Sequence, residues 1–275
     1  MTIELIQRAA YGVAKSRYGW STRRRSGRPI VVFSMAKTGS SAVVGGLHAA
    51  GYGGVHQVHD LDPAFLAREE EEYRWGGRPW RNWDAQGLLR QPPTPAAPWH
   101  VVSIVRDPIA QTVSAFFQPG VRRGYVTPGT TVADLVDRFG DRFDRLPLGW
   151  FESHVRPTLG IDVYASPFDP TDGYRIIATP SVRMLLLRCE GLAVAPAAIA
   201  ELTGDDRAVR IPRLNVGVEK DYADLYRGFL EAVRPSSAQI EHACTSQLVQ
   251  HFYSAVEIDG FRARWSAGTP DQPDR

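Results

Sequence analysis

Cysteine and methionine are scarce in this chain, with two and three residues among 275. Cys189 and Cys244 lack the paired spacing of metal ligands, so no metal centre is expected, and their reading is two reduced thiols in a cytosol, with a single bridge between them as the alternative. Long apolar runs are missing too: none approaches the roughly 20 residues needed to span a bilayer. No signal peptide is expected, because Glu4 sits early and Ile3, Ile6, Ala9, Ala10 and Val13 are spaced for a helix rather than run together. There is no internal repeat. A large net charge is also lacking, at +2. That figure hides an asymmetry: residues 1–28 hold seven Lys or Arg against one Glu, which makes this segment +6 and the remainder −4. The slightly acidic body argues against nucleic-acid binding, whereas the basic N-terminus, with Arg23, Arg24 and Arg25, suits either a solvated helix and linker or a peripheral contact with an anionic membrane surface.

With 43% hydrophobic and 23% charged residues, the chain has the composition of a folded soluble protein long enough for one α/β domain. The expected division is a basic helix and linker over 1–28, one domain over 29–265, and a frayed tail over 266–275. The most informative stretch runs from Pro29 to Val44. A short β-branched run, Ile30 to Phe33, enters the loop Ser34-Met35-Ala36-Lys37-Thr38-Gly39-Ser40-Ser41, and small and apolar residues of a helix follow from Ala42 to Ala50. A tight turn at Gly39 brings backbone N–H groups together at a helix N-terminus, where unpaired donors and the macrodipole favour an anion. Lys37 adds a positive charge there, and Thr38, Ser40 and Ser41 add hydroxyl donors.

Val55 to Asp60 alternates like a second strand, which puts His59 near its carboxyl end. Asp62 is placed to cap a helix with Pro63 in its first turn. Residues 75–99 read as a long Gly- and Pro-rich connection whose tryptophans Trp75, Trp80 and Trp83 either stack on a ligand or pin the loop to the core. His100 to Val105 reads as a buried parallel strand, with Arg106 at its end, Asp107 as cap and Pro108 opening the helix that carries Ser114. Helix is expected over Val132–Arg145, a strand-like run over Gly160–Tyr164, strands at Tyr174–Ile177 and Ser181–Glu190, and helix over Ala195–Leu202. A loop with Arg207, Arg210 and Arg213 then precedes C-terminal helices over Asp221–Val233 and Ser236–Arg264. The fold class is therefore α/β, a single P-loop-like domain whose central, mostly parallel sheet is flanked by helices. In such sheets ligands bind beyond the strands' carboxyl ends.

The nucleotide P-loop G-x-x-x-x-G-K-[ST] is not matched, since Lys37 precedes Gly39 and Val105-Arg106-Asp107 is unlike a magnesium-binding strand end. The loop from Ser34 to Ser41, together with Arg106 and a serine eight residues later at Ser114, instead resembles the sulfotransferases that use 3′-phosphoadenosine 5′-phosphosulfate. The segment Leu187-Arg188-Cys189-Glu190 resembles a later strand end of that family, with Cys189 where many members have tyrosine. Within the family the chain is similar to a bacterial capsular polysaccharide synthesis branch, through Trp150-Phe151, Gly160–Tyr164 with Pro167–Asp169, and His251–Ser254 with Glu257-Ile258.

The resemblance implies that Ala36, Lys37, Thr38, Gly39, Ser40 and Ser41 hold the 5′-phosphosulfate and that Arg106 and Ser114 hold the 3′-phosphate. It makes Lys37 a catalytic residue, and it points to His59 as the base, with Asp60, Glu69 and Glu152 as carboxylate alternatives and His56 the weaker histidine. It further implies transfer to a hydroxyl of a glycan, glycolipid or other small molecule, without a metal, and suggests that the arginines of the 205–215 loop cover the cofactor. The competing classes are a nucleotide or small-molecule kinase and a non-catalytic nucleotide-binding module. The acceptor's identity and the oligomeric state are not encoded in any motif.

Overall fold

The β-branched runs become strands, and their order places the candidate residues. In the computed structural model, which describes residues 28–76, 82–123, 126–127, 129–212 and 223–267, Ile30–Phe33 (β1) leads through the loop to Ser40–Ala49 (α1) and Val55–Val58 (β2). Pro63–Gly76 (α2) and Trp83–Leu89 (α3) precede Trp99–Val105 (β3), and Pro108–Arg123 (α4) and Val132–Phe139 (α5) follow it. A π-turn over Phe151–Val155 continues into Arg156–Leu159 (α6), before Tyr174–Ala178 (β4), Val182–Arg188 (β5) and Ala195–Thr203 (α7). Ala223–Ala232 (α8), Ser237–Cys244 (α9), Gln247–Phe252 (α10) and Ala255–Ala267 (α11) complete the described elements.

The sheet order is β2-β1-β3-β5-β4, parallel except for β4, which runs antiparallel to β5. This is the mixed α/β class expected from the sequence. Because the chain passes from β1 to β2 on one side and then crosses to β3 on the other, the connections diverge between β1 and β3. A crevice opens at such a switch point. Strand alternation sorts the core into two layers. Ile30, Val32, Val102, Ile104, Leu185 and Leu187 pack beneath α1 and α7, while Val31, Phe33, Val101, Val105, Met184 and Leu186 face the larger layer built from α2 to α5 and the C-terminal helices.

Local chemistry explains both agreements and departures. Asp62 caps α2 through Oδ1, which accepts the Ala64 N–H at 2.8 Å, and Asp107 caps α4 by accepting the Ile109 N–H at 2.9 Å. The first helix starts at Ser40, two residues before its expected start, because Gly39 at φ 87° ends the turn. β2 stops at Val58, since His59 leaves the ladder to bond the Ser34 carbonyl. The 75–99 segment is not one irregular loop: α2 runs to Gly76, and α3 occupies Trp83–Leu89, tied back to α2 by Asn82 to Glu69 and Gln86 to Glu70.

Gly160–Tyr164 is not a strand either. Gly160 at φ 67° ends α6, and the Asp162 carboxylate accepts the Tyr164 N–H to start a 3₁₀ turn. Ile161 and Val163 are both buried, so the alternation was real although the partner strand was missing. Gly140 at φ 53° likewise ends α5 before the 3₁₀ turn at Arg142–Arg145. The N-terminal helix, Trp80, Arg213 and the tail after residue 267 lie outside the described residues.

The C-terminal helices close onto the sheet through specific polar contacts. Arg188 at the end of β5 pairs with Glu257 at 2.6 Å and donates to the Pro170 carbonyl at 2.9 Å. Trp265 of α11 donates its indole N–H to the buried Asp107 carboxylate at 2.7 Å. Trp265→Phe should therefore remove ring volume and leave a buried acceptor short of a donor. The expected loss is about 2–4 kcal/mol of unfolding free energy, read by urea denaturation.

Candidate functional site

The loop between β1 and α1 is shaped by side chains that grip its carbonyls. Thr38, fully buried, donates its hydroxyl to the Met35 carbonyl at 2.9 Å. Gln111 of α4 donates to the Ala36 carbonyl at 2.8 Å, and Arg106 donates to the Lys37 carbonyl at 3.2 Å. In a trans peptide the C=O of one residue and the N–H of the next point opposite ways. Fixing the carbonyls of Met35, Ala36 and Lys37 therefore turns the N–H groups of Ala36, Lys37 and Thr38 each away from the side chain that grips its peptide.

Backbone conformation marks the same spot. Lys37 has φ 70°, the one positive value among described non-glycine residues, and Gly39 follows at φ 87°. A lysine held in the left-handed region stores about 1 kcal/mol or more of strain, which only a well-determined surrounding structure sustains. Space is also tight at Gly39: a Cβ there would stand 2.9 Å from Leu192 Cδ1, so that side chain would have to shift, and 3.5 Å from Cys189 Sγ. The segment after β5 thus packs directly on the loop, where the sequence located a third strand end.

α1 then begins at Ser40 without an acidic residue in its first turn and without a side-chain cap. The Ala42 and Val43 N–H groups bond the Gly39 carbonyl at 3.0 and 3.3 Å, those of Ser40 and Ser41 have no intrahelical acceptor, and the positive end of the helix dipole faces the loop. On the β2 side, Gln57 donates to the hydroxyl oxygens of Ser40 at 2.9 Å and Ser41 at 3.2 Å.

His59 stands at the rim. Its Nδ1 is 2.7 Å from the Ser34 carbonyl. A carbonyl only accepts, so Nδ1 carries the proton and Nε2 is left with a lone pair. The residue keeps an exposed surface. Burial lowers its pKa, the positive charge of Lys37 lowers it further, and the bond to Ser34 opposes both. His56 is engaged elsewhere, since it points to the other face of the sheet and pairs with Asp84 of α3 at 2.8 Å. Asp60 is engaged by the Asp62 N–H at 2.7 Å and lies 3.5 Å from His154 of the π-turn.

Arg106, at the end of β3, and Gln111, on α4, meet the loop. Arg106 reaches Lys37 across 69 residues of sequence. Ser114 is buried and lies one turn beyond Gln111 on the same face of α4, the face whose glutamine grips the loop. Behind Arg106, Glu190 accepts the Asp107 N–H at 2.8 Å and the Tyr253 hydroxyl at 2.9 Å. Burial, with a smaller push from Asp107, holds the Glu190 carboxyl above the usual carboxylate range against the pull of the Asp107 and Glu190 backbone N–H groups and of Arg106. Arg207 is placed elsewhere. It donates to the Gly51 carbonyl at 2.9 Å and lies over the Tyr52 ring, at the far end of α1 from the loop, so it does not cover the cradle.

The sequence brought Lys37, Gly39, Arg106 and His59 to attention but not Gln57 or Gln111. A signal for these two was available in register alone: Gln57 shares β2 with His59, and Gln111 precedes Ser114 by three. Glu190 and Tyr253 lay in two segments that carried the family resemblance, but nothing local announced that they touch, because the contact joins residues 63 apart. No helix among the described residues is long and apolar enough to cross a membrane. No group of three or more His, Cys, Asp or Glu among them is arranged to hold a metal ion.

Fold and site together define an open α/β protein with a strained lysine–glycine turn at the switch point of its sheet. The NKWYS family model, described as "Putative capsular polysaccharide synthesis protein", matches residues 130–254, a little under half of the chain. The chain is similar to that family over α5 to Ser254, which includes β4, β5, Glu190 and Tyr253 but not the Lys37 loop. No curated protein and no solved structure matches the chain.

Gly39→Ala should destabilise the fold by about 1–3 kcal/mol through positive φ and contact with Leu192. Adding Leu192→Ala should leave the φ cost in place, so thermal unfolding of the double variant should not return to that of Leu192→Ala alone.

Proposed function

We propose that the protein is a sulfotransferase that uses 3′-phosphoadenosine 5′-phosphosulfate and acts on a hydroxyl of a glycan, glycolipid or other small molecule. The observation that carries this reading is the hydrogen bond between Arg106 and the Lys37 carbonyl. It joins two anion-seeking motifs, far apart in sequence, across neighbouring strands at one crevice. A ligand with phosphates at both ends of one nucleoside suits such a pair. The residues fit that group by their chemistry: a loop whose carbonyls are engaged by side chains, a lysine and a glycine at positive φ within it, and an uncapped helix start without acidic residues. The description of the family matched over residues 130–254 supports a glycan as acceptor.

When bound, the donor supplies an SO₃ group whose bond to a bridging phosphate oxygen breaks as a bond to the acceptor oxygen forms, leaving adenosine 3′,5′-bisphosphate. The N–H groups of Ala36, Lys37 and Thr38, those of the first turn of α1, and the hydroxyls of Ser40 and Ser41 hold the 5′ end. Arg106 and Ser114 hold the 3′-phosphate. The Lys37 ammonium stabilises negative charge that grows on the bridging oxygen, an interaction stronger in the transition state than before it. His59, protonated on Nδ1, receives the acceptor proton at Nε2. Its lowered pKa keeps it neutral, hence competent, through the neutral range.

Calorimetry with adenosine 3′,5′-bisphosphate tests the donor. Binding is expected, weakened about 10- to 100-fold in Arg106→Ala by loss of a charge-assisted contact; a wild-type protein that does not bind would sink the reading. Lys37→Gly separates catalysis from folding. Relief of the left-handed strain should leave stability unchanged or raise it by up to about 1 kcal/mol, while transfer is abolished. His59→Ala should cost about 10²–10⁴ in turnover. Because the neutral imidazole is the active form, kcat/KM should fall as pH drops through a midpoint below about 6.5, the ordinary imidazole value. An acid limb that survives His59→Ala would assign the base elsewhere.

A further inference from the structure

We propose that Gln57 is a positioning residue: it turns the hydroxyl hydrogens of Ser40 and Ser41 toward the bound anion. This rests on the donor site described above and deepens it. Gln57 lies on β2 in register with Val32 of β1, and its side chain points to the α1 face of the sheet. One amide nitrogen donates to two neighbouring hydroxyl oxygens, Ser40 Oγ at 2.9 Å and Ser41 Oγ at 3.2 Å. A serine hydroxyl has one hydrogen and two lone pairs. An amide N–H that occupies a lone pair from the β2 side leaves the hydroxyl hydrogen to rotate toward another acceptor. At the first turn of α1 that acceptor is an anion, because no acidic side chain and no capping side chain competes for it there.

The choice of glutamine follows from the charge balance of the cradle. A carboxylate at position 57 would accept from both serines, reverse their hydrogens and repel the ligand. A lysine would compete for the anion itself. A neutral amide orients two donors and adds no charge. The same short strand thus delivers the hydroxyl-orienting group at Gln57 and, two residues on, the imidazole of His59.

The test is a double-mutant cycle read by calorimetry with two probes. Inorganic pyrophosphate reports on the Lys37 cradle alone, and adenosine 3′,5′-bisphosphate reports on both phosphate sites. Gln57→Leu should weaken each probe about tenfold. In the Ser40→Ala/Ser41→Ala background, the same change should alter affinity by less than about twofold, because no hydroxyl is left to orient. Melting temperatures of the four proteins are measured in parallel, and that of Gln57→Leu should stay within about 2 °C of the wild type. Wild-type affinity in Gln57→Leu, an equal loss with and without the serines, or a loss that tracks a fallen melting temperature would each overturn the proposal. A wild-type protein that binds pyrophosphate but not the bisphosphate would overturn the donor reading alone, and the cycle on pyrophosphate would still decide for Gln57. Binding of neither probe would overturn both.

Discussion

Everything near the site depends on the backbone of one lysine. Lys37 is held at φ 70° because the carbonyls from Met35 to Lys37 are fixed by Thr38, Gln111 and Arg106, which come from the loop itself, from α4 and from the end of β3. Each grip is an ordinary hydrogen bond, contributing about 1 kcal/mol net. Together they are enough to sustain a conformation that costs about as much as one of them. The consequence reaches beyond the loop: β3 must lie beside β1, α4 must start at Pro108 with its Gln111 face turned inward, and the segment after β5 must leave space at Gly39. The crevice is therefore assembled by the sheet order.

A second layer of polar contacts holds the ends of β3 and β5. Glu190 bridges the Asp107 N–H and the Tyr253 hydroxyl, Asp107 takes the indole N–H of Trp265, and Arg188 meets Glu257. Burial raises the pKa of both Asp107 and Glu190, and it drives that of Tyr253 well above its ordinary value, so these groups cost free energy to enclose and are compensated by hydrogen bonds from every side. Tyr253 and Glu190 fall inside the region similar to the capsular polysaccharide family, whereas Lys37 and Arg106 fall outside it. The contact of Glu190 with the Asp107 backbone joins the two parts of the chain beside the β3–β5 ladder, which pairs them along both strands.

What could be read in advance was whatever depends on neighbours in sequence. The caps at Asp62 and Asp107, the prolines that follow them and the β-branched strands all stood where the residues implied. The errors share one cause, a local pattern that was present while its distant partner was not. Ile161 and Val163 alternate as a strand would, yet they bury against the core from the start of a 3₁₀ turn at Val163 and the residues just before it, and no described strand pairs with them. Residues 83–89 looked irregular next to so much glycine and proline, but Asn82 and Gln86 find Glu69 and Glu70 on α2 and settle as a helix. Arg207 shared a loop with other arginines and was grouped with them, although its guanidinium rests on Tyr52.

By itself the sequence determined the α/β class, the strand–loop–helix turn around Lys37 and Gly39, and the strand end at Arg106, because each is decided by propensities and caps within a few residues. Only the tertiary structure decided that Arg106 grips the Lys37 carbonyl, that Nδ1 of His59 bonds the Ser34 carbonyl while His56 pairs with Asp84, and that Gln57 meets two serines. The physical reason is that strand order and register have no local signature. They follow from how two apolar layers close on one sheet, and a side chain's role at the crevice is fixed only when the neighbouring strand arrives.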